Sequence, residues 1–246
     1  HPKSQVAAEN YSTSHMQKHG RAGSNHPHGN QAPLEVDRVI LWPDTFNNYL
    51  ESQNLEATAA VLEDAGYEVT LPPRPLCCGR PLYDAGMLKL AKKLWAQMLE
   101  TLREDIHAGI PVIGVEPSCV AAFRDELPGL LADDDDAKRL SHQTYLLSEF
   151  LERQNYQPPV IEAFDGTTAM VQMHCHHMAV LGTDADRALL QRLGFELEVL
   201  NGGCCGLAGS FGFKAGEKYD VSVRAAERVI MPRIREASED TVIVAD

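Results

Sequence analysis

One segment of the sequence occurs twice, and this duplication limits the possible folds more than any other feature. The stretch AGYEVTLPPRPLCCG ends at Gly79, and the stretch LGFELEVLNGGCCG ends at Gly206. In each copy an apolar alternation typical of a β-strand precedes the CCG triplet, and a helical pattern follows it. The chain is therefore predicted to contain two copies of a β-α-β unit.

Strand and helix patterns alternate along the chain from residue 36 onward. Short apolar runs predict strands at residues 39–42, 67–71, 112–115, 169–173, 195–200 and 242–245. Strands that alternate with helices predict parallel sheets whose faces are covered by those helices. We therefore expect an α/β fold of two tandem repeats, each a small parallel β-α-β sheet layered with helices, related by pseudo-two-fold symmetry.

The same patterns divide the chain into four segments. Residues 34–132 are predicted to form the first CCG repeat, residues 133–166 a helical linker, and residues 167–246 a second CCG repeat that is truncated at its C-terminal end. Residues 1–33 hold half of the ten histidines and few aliphatic side chains, so they cannot bury enough surface to offset the entropy of ordering. We expect them to be a disordered arm or a remnant of an expression tag.

Charge and hydropathy exclude several classes of protein. The net charge of −13 argues against a general nucleic-acid binder, because such a protein needs a basic face for phosphates. No apolar run approaches the roughly 18 residues of a membrane-spanning helix, and no signal peptide is evident. No G-x-G-x-x-G motif follows a strand, so no nucleotide site is predicted. We expect a cytoplasmic protein, either free or peripheral to the inner face of the membrane.

The cysteines are predicted to lie at the carboxyl ends of strands, where parallel α/β folds place their ligand sites. Adjacent cysteines do not readily form a disulfide, because their Cα atoms are about 3.8 Å apart and the usual disulfide range begins near about 4.4 Å. Reduced or metal-bound thiols are therefore expected. Two sets should converge in separate pockets: Cys77, Cys78 and Cys119 in the first repeat, and Cys175, Cys204 and Cys205 in the second.

Thiol-rich sites of this kind favour a metal centre. Thiolates bind zinc or iron–sulfur clusters, and the sequence lacks the C-x₂₋₄-C pairs that are usual in zinc sites. Adjacent ligands suit the several metal corners of a cluster better than one tetrahedral ion, which favours iron–sulfur over zinc. Buried structural cysteines are the alternative. His174 and His176 are candidates for a further ligand or a proton relay, against simple hydrogen bonding at a strand end.

Several motifs resemble a known family. The CCG pairs, PSC at 117–119 and CHH at 175–177 resemble the cysteine-rich CCG domain of heterodisulfide reductase B-type subunits and glycolate oxidase iron–sulfur subunits. The C-terminal iron–sulfur region of FAD-linked D-lactate-type dehydrogenases is the most similar, and this resemblance covers residues 36–246 with the stretches LWPDTFNNYLE, RPLCCGRPLYDAGML, EPSCVAAFRDEL and GCCGLAGSFGF. The resemblance identifies the two triplets as the metal-binding motifs of this family.

The resemblance implies an electron-transfer module of a flavin-linked oxidoreductase that oxidises a 2-hydroxy acid such as D-lactate or glycolate. Electrons would pass from the flavin to an acceptor through CCG-bound [4Fe–4S] clusters of a non-cubane type, with zinc in some first repeats. FAD would belong to a missing domain or partner, and a ferredoxin-like iron–sulfur segment would be a second partner. This chain alone is expected to lack the substrate-oxidising domain, and no catalytic residue is predicted in it.

The sequence departs from the family pattern mainly in the first repeat. Asp44 or Thr45 stands where the family has a lone cysteine, and Glu116 replaces the first cysteine of a C-x-x-C pair, so Asp44 and Glu116 become candidate secondary ligands. In the second repeat a final cysteine is expected beyond Asp246. Hard carboxylates fit zinc better than a low-potential iron–sulfur centre. We therefore predict a cluster in the second repeat and a zinc, degenerate or structural site in the first. The rival hypothesis is a zinc-stabilised or metal-free interaction domain.

Overall fold

The computed structural model describes residues 32–159, 161–200 and 202–246. The arm expected over residues 1–33 therefore lies outside the described residues, apart from its last two positions. Two separate parallel sheets organise the described residues, and helices flank both of them. Every helix of this described part is too short or too polar to cross a lipid bilayer.

The first sheet contains four parallel strands in the order β2-β1-β3-β4. They are β1 (Arg38–Leu41), β2 (Glu68–Thr70), β3 (Val112–Gly114) and β4 (Thr144–Leu146). The central strand β3 is buried along its whole length, as expected for a parallel strand covered on both faces. The helices of this half are α1 (Thr45–Tyr49), α2 (Ser52–Asp64), α3 (Arg80–Asp84), α4 (Leu88–His107), α5 (Pro117–Ala121), α6 (Leu127–Leu130), α7 (Asp135–Gln143) and α8 (Leu147–Arg153), with a π-helical turn at Ala122–Glu126.

Helix α4 supplies the main apolar face of the first repeat. Its buried side chains recur at helical spacing and face the sheet: Ala91, Trp95, Met98, Leu99, Leu102 and Ile106. The same core contains Trp42 and Phe123, whose ring centroids are 4.8 Å apart in an edge-to-face contact. Cys78 and Cys119 belong to this core as well. The apolar packing therefore extends to the first cysteine set and holds its loops in place.

Strand β4 interrupts the helical linker expected over residues 133–166. Thr144, Tyr145 and Leu146 pair in parallel with β3, and all three residues are buried. A threonine and a tyrosine fit a pleated, covered surface well, and the sheet offers β3 as a hydrogen-bonding partner at this point. Tertiary pairing therefore overrides the helical pattern over these three residues, and part of the expected linker joins the first sheet.

The second sheet contains three parallel strands in the order β6-β5-β7. They are β5 (Thr168–Gln172), β6 (Glu196–Val199) and β7 (Val242–Ala245), and the helices are α9 (Asp184–Arg192), α10 (Glu217–Ala226) and α11 (Ile230–Glu236). A π-helical turn lies at His177–Leu181, and short 3₁₀ turns lie at Glu162–Phe164 and Phe211–Phe213. The strand order β2-β1-β3 of the first sheet recurs here as β6-β5-β7. The predicted α/β class with two parallel repeats is therefore confirmed.

The two repeats contact each other through the elements that follow their cysteines. Helix α5, which contains Cys119, packs against the π-helical turn His177–Leu181, which begins two residues after Cys175. Val120 and Ala121 meet Leu181 in one buried apolar cluster. The two sets of cysteines are therefore connected through packed apolar side chains.

Candidate metal centres

The first cysteine set lies at the carboxyl edge of the first sheet. Cys77 and Cys78 lie in the loop between β2 and α3, and Cys119 lies in α5, directly after β3. Gly79 turns the chain into α3 with a φ of +80°, a conformation that L side chains rarely adopt. The Trp95 indole N–H donates a 2.7 Å hydrogen bond to the carbonyl oxygen of Cys78. The indole occupies the space that a Cβ at Gly79 would need, which fixes the loop against α4.

The three thiols of this set form a row of contacts. The Sγ atoms of Cys78 and Cys119 are 2.9 Å apart, and the Cys77 side chain hydrogen-bonds to Cys78. Cys78 and Cys119 are 6% and 7% exposed, whereas Cys77 is partly exposed, and all three are free cysteines. The structure thus brings together the three residues that the sequence placed in one pocket.

Hydrogen bonding and burial raise the pKa values of Cys77 and Cys78. The hydrogen bond to Cys78 and then burial raise the pKa of Cys77 well above its usual range, although the Gly79 backbone N–H opposes the shift. The hydrogen bond from Cys119 is the main cause that raises the pKa of Cys78, with Cys77 and the Arg80 backbone N–H acting in the opposite direction. Metal binding would therefore have to release protons from this row.

The donor set of the first repeat fits a thiolate-bound metal. Three sulfurs from two segments meet, no disulfide uses them, and backbone N–H groups of Gly79 and Arg80 point to sulfur. Within the described residues, however, no three Cys, His, Asp or Glu side chains already surround one metal position. The thiols must lose their mutual hydrogen bonds and rearrange locally before they can share an ion.

The two carboxylates proposed as secondary ligands are engaged as helix caps. Asp44 is 3% exposed, and its Oδ1 accepts 3.0 Å hydrogen bonds from the backbone N–H groups of Phe46 and Asn47 at the start of α1. Its Oδ2 accepts a 2.7 Å bond from the Asn47 side chain. Glu116 Oε1 accepts bonds from the backbone N–H and the hydroxyl of Ser118 at the start of α5. Their position after strands β1 and β3 is therefore explained by capping.

The second cysteine set is more open to solvent. Cys175 follows β5, and Cys204 and Cys205 follow β6 through two glycines with positive φ. Cys175 and Cys204 are exposed, while Cys205 is partly buried. Burial, followed by the nearby Cys205 and Cys204, raises the pKa of Cys175, so the three sulfurs lie within electrostatic range of one another. These donors also suit a thiolate-bound metal, on a surface that a partner can reach.

The two CCG loops share one hydrogen-bonding feature. The backbone N–H of Gly206 donates to the Sγ of Cys204 at 3.3 Å. In the first repeat the backbone N–H groups of Gly79 and Arg80 lower the pKa values of Cys77 and Cys78, so they too lie close to sulfur. Each donor lies two residues after its sulfur. Such N–H donors favour the thiolate over the thiol, and they act against the hydrogen bonds and burial that raise the pKa values of Cys77 and Cys78.

The histidines beside Cys175 have different environments. His174 Nδ1 accepts a 3.2 Å hydrogen bond from the backbone N–H of His176, and the two rings stack with centroids 5.3 Å apart. Burial, and then the charge of Arg80, lowers the pKa of His176. The Nδ1 of His176 is buried and has no hydrogen-bond partner within the described chain. His176 thus lies near Arg80, which belongs to the first repeat.

His177 has a structural role that the sequence did not indicate. Its ring is buried between the carboxylates of Asp186, at 2.9 Å from Nε2, and Asp246, which contacts Nδ1. Burial lowers the pKa of His177, but the hydrogen bonds to these two carboxylates outweigh it and raise the pKa to about 9. A charged His177 therefore connects the π-helical turn to α9 and to the residue that follows β7.

A buried ion pair between Arg80 and Glu126 is a second feature that the sequence pattern did not predict. Arg80 directly follows the first CCG triplet, and its Nη1 contacts Glu126 Oε1, with both side chains only 9% exposed. The sequence did contain a signal for this pair, since the two copies differ at this position. A charged residue, Arg80, follows the first triplet, whereas the apolar Leu207 follows the second.

Comparison with known proteins shows the family to which this site belongs. A family model described as a cysteine-rich domain, CCG, matches residues 45–124 and 172–246. The two matched ranges contain all six cysteines, three in each. The duplication read from the sequence therefore corresponds to two copies of one known domain.

Three curated relatives illustrate the similarity. A subunit of the anaerobic glycerol-3-phosphate dehydrogenase of Escherichia coli (strain K12) is 32% identical over 84% of this chain and 52% of its own length. Lactate utilization protein A of Bacillus licheniformis is 32% identical over 85% of this chain and 87% of its own length. D-2-hydroxyglutarate dehydrogenase of Pantoea ananatis is 27% identical over 73% of this chain and 17% of its own length. The chain thus spans about half of the first relative and a small part of the third.

Proposed function

This chain belongs to the family of cysteine-rich CCG domain proteins, and on that basis we propose that it is an iron–sulfur electron-transfer module of a flavin-linked 2-hydroxy-acid dehydrogenase. The observation that carries the proposal is the duplicated set of three thiols at a sheet edge, with backbone N–H groups donating to sulfur in both copies. Relatives named for lactate utilization and for 2-hydroxyglutarate favour a 2-hydroxy acid of the D-lactate or glycolate type as the electron source.

The second repeat is proposed as the redox site. Cys175, Cys204 and Cys205 would hold a [4Fe–4S] cluster of a non-cubane type, which when bound accepts and returns single electrons. The exposure of Cys175 and Cys204 supports this assignment, because an electron carrier must come close to its partner. His174 and His176 would hydrogen-bond near the cluster or relay a proton at its edge.

The first repeat is proposed as a zinc or structural site. Cys77, Cys78 and Cys119 would hold the ion, and Cys78 and Cys119 are buried in the apolar core of the repeat. Burial of the ligands suits a closed site that stabilises the fold. The capping hydrogen bonds of Asp44 and Glu116 leave sulfur as the main donor type in this pocket.

The partners follow from what the chain would need to function. FAD would belong to a dehydrogenase domain or subunit, and a ferredoxin-like iron–sulfur segment would carry electrons between that flavin and this module. We propose a cytoplasmic location, free or at the inner face of the membrane, because free thiols persist in a reducing compartment. The relative named as a subunit of a dehydrogenase favours such an assembly.

Metal analysis of anaerobically purified protein tests this proposal. Iron and acid-labile sulfide, with a broad absorption shoulder in the visible region that fades on reduction, are the expected result. Stoichiometric zinc without iron would contradict the redox assignment and favour the rival, a zinc-stabilised interaction domain. Protein that folds and binds its partners without any metal would contradict both metal assignments.

A further inference from the structure

Arg80 is a buried cation with unused hydrogen-bond donors. Its Nη1 pairs with Glu126, and Asp84 Oδ1 lies 3.7 Å from the same atom. The Nε and Nη2 groups are also buried, and they have no hydrogen-bond partner within the described part of the chain. Glu126 Oε2 is buried and has no partner among the described residues either. Buried N–H groups normally find an acceptor, so the two unused donors of Arg80 are available to an acceptor that comes close to this ion pair.

The ion pair of Arg80 joins the two segments that carry the first cysteine set. Arg80 follows Cys77-Cys78-Gly79, and its backbone N–H donates to the sulfur of Cys78. Its partner Glu126 lies in the π-helical turn that continues α5, the helix that contains Cys119. The guanidinium therefore connects the CCG loop to the segment that brings the third thiol.

The second repeat lacks this arrangement. Leu207 occupies the position after the second triplet, and its side chain is 43% exposed. The buried cation thus distinguishes the closed first set from the open second set, although the two loops share their backbone N–H donors.

We propose that Arg80 is a positioning residue for the metal centre of the first repeat, with Nε–H and Nη2–H donating hydrogen bonds to its metal-bound sulfurs while Nη1 fixes the two cysteine-bearing segments together. The inference rests on the proposed function, because it requires an ion at Cys77, Cys78 and Cys119. Thiols that lose their protons on metal binding become charged acceptors, which is what a buried guanidinium fork needs. Three thiolates on a divalent ion also leave a negative charge, which these donors would stabilise.

The test is a Co²⁺ titration of the reduced, metal-free chain, with Zn²⁺ competition for affinity. All variants carry Cys204→Ser and Cys205→Ser, so that the thiolate-to-cobalt absorption reports on the first repeat. Arg80→Gln is expected to weaken Zn²⁺ binding roughly 10- to 100-fold, as loss of a hydrogen-bond partner of a ligand typically does. It should also shift the thiolate-to-cobalt band, because the sulfurs lose their donors.

Arg124 offers a matched control. It is also buried, it pairs with Glu149 at 2.6 Å, and it lies in the same π-helical turn as Glu126. Its Nη2 is buried without a partner in the described residues as well. Arg124→Gln should lower Tm at least as much as Arg80→Gln, yet leave the Zn²⁺ affinity and the cobalt band unchanged. Equal loss of affinity in both variants would show a general structural effect and overturn the inference.

The outcomes separate the inference from the proposal beneath it. Wild-type affinity and an unshifted band in Arg80→Gln would overturn the role of Arg80 alone. A titration that does not respond to Cys77→Ser or Cys78→Ser would show that the first repeat holds no ion, and would overturn both. If Arg80→Gln does not fold, Arg80→Lys tests the role of Arg80 instead. Lysine keeps the positive charge but lacks the planar set of N–H donors of the guanidinium. Weaker binding with a shifted band is then expected, and unchanged binding would refute the proposal.

Discussion

Two residues that meet in space determine the shape of the first CCG loop. Gly79 adopts a left-handed backbone, and the Trp95 indole packs where a side chain at this position would begin. The same indole holds the Cys78 carbonyl oxygen. The absence of a side chain at Gly79 therefore lets the loop that carries Cys77 and Cys78 pack directly against Trp95.

Gly79→Ala is expected to destabilise the protein by more than the roughly 1–2 kcal/mol that a left-handed alanine costs by itself, because its Cβ would also displace Trp95. Gly86→Ala is the matched control, since Gly86 has a φ of +71° but no atom within 4 Å of its hypothetical Cβ. Urea unfolding of both variants measures the difference. Equal destabilisation would mean that the contact with Trp95 does not constrain the loop.

At the scale of elements, two helix caps and one strand explain residues for which the sequence pattern predicted another role. Asp44 and Glu116 each follow a strand and begin a helix, where a carboxylate satisfies backbone N–H groups. Strand β4 occupies part of the expected linker because β3 offers it a ladder of hydrogen bonds. Local structure around the cysteines thus uses polar residues to end strands and to start helices.

Substitution of Asp44 separates capping from ligation. Asp44→Asn should keep the cap but lose the buried hydrogen bond from the Asn47 side chain, at a cost of roughly 1–3 kcal/mol. Asp44→Ala should lose the cap as well, at a further cost of roughly 0.5–2 kcal/mol. Both variants should bind Zn²⁺ like the wild type if the carboxylate is only a cap. Thermal unfolding and a zinc competition assay give the two readouts. A large fall in zinc affinity in Asp44→Asn would instead identify Asp44 as a ligand.

At the scale of the molecule, the two repeats place different environments around similar motifs. The first set is closed by α4 and the core, while the second is exposed and is bordered by histidines. Helix α5 and the π-helical turn after Cys175 pack together, so the sets belong to one continuous structure. This asymmetry supports a stabilising role for the first set and a redox role for the second.

Cysteine substitution in the full-length protein, assayed with its proposed flavin partner, tests that division. Cys204→Ser or Cys205→Ser should abolish both iron content and turnover with a 2-hydroxy acid, because serine is a poor ligand for a cluster. Cys77→Ser should mainly lower Tm, since it affects the closed site. Iron analysis, turnover and thermal unfolding are measured on the same preparations. If Cys77→Ser removed iron and activity while Cys204→Ser left them intact, the two assignments would have to be exchanged.

Local patterns along the chain were sufficient to predict the class of fold and the cysteine sets. The two CCG triplets, the alternation of strands and helices, and the position of each cysteine after a strand are visible over a few neighbouring residues. Parallel strands carry their carboxyl ends to one edge of a sheet, so the convergence of Cys78 and Cys119 followed from topology without any knowledge of contacts.

The role of each side chain at that edge, in contrast, depends on contacts between distant segments. The contact between Cys78 and Cys119 joins residues 41 positions apart, and the Arg80–Glu126 pair joins residues 46 apart. Packing likewise brings distant partners to Tyr145, which joins a sheet, and to His177, which lies between two carboxylates. No local pattern encodes such partners, since they depend on how distant segments bury their apolar faces against each other.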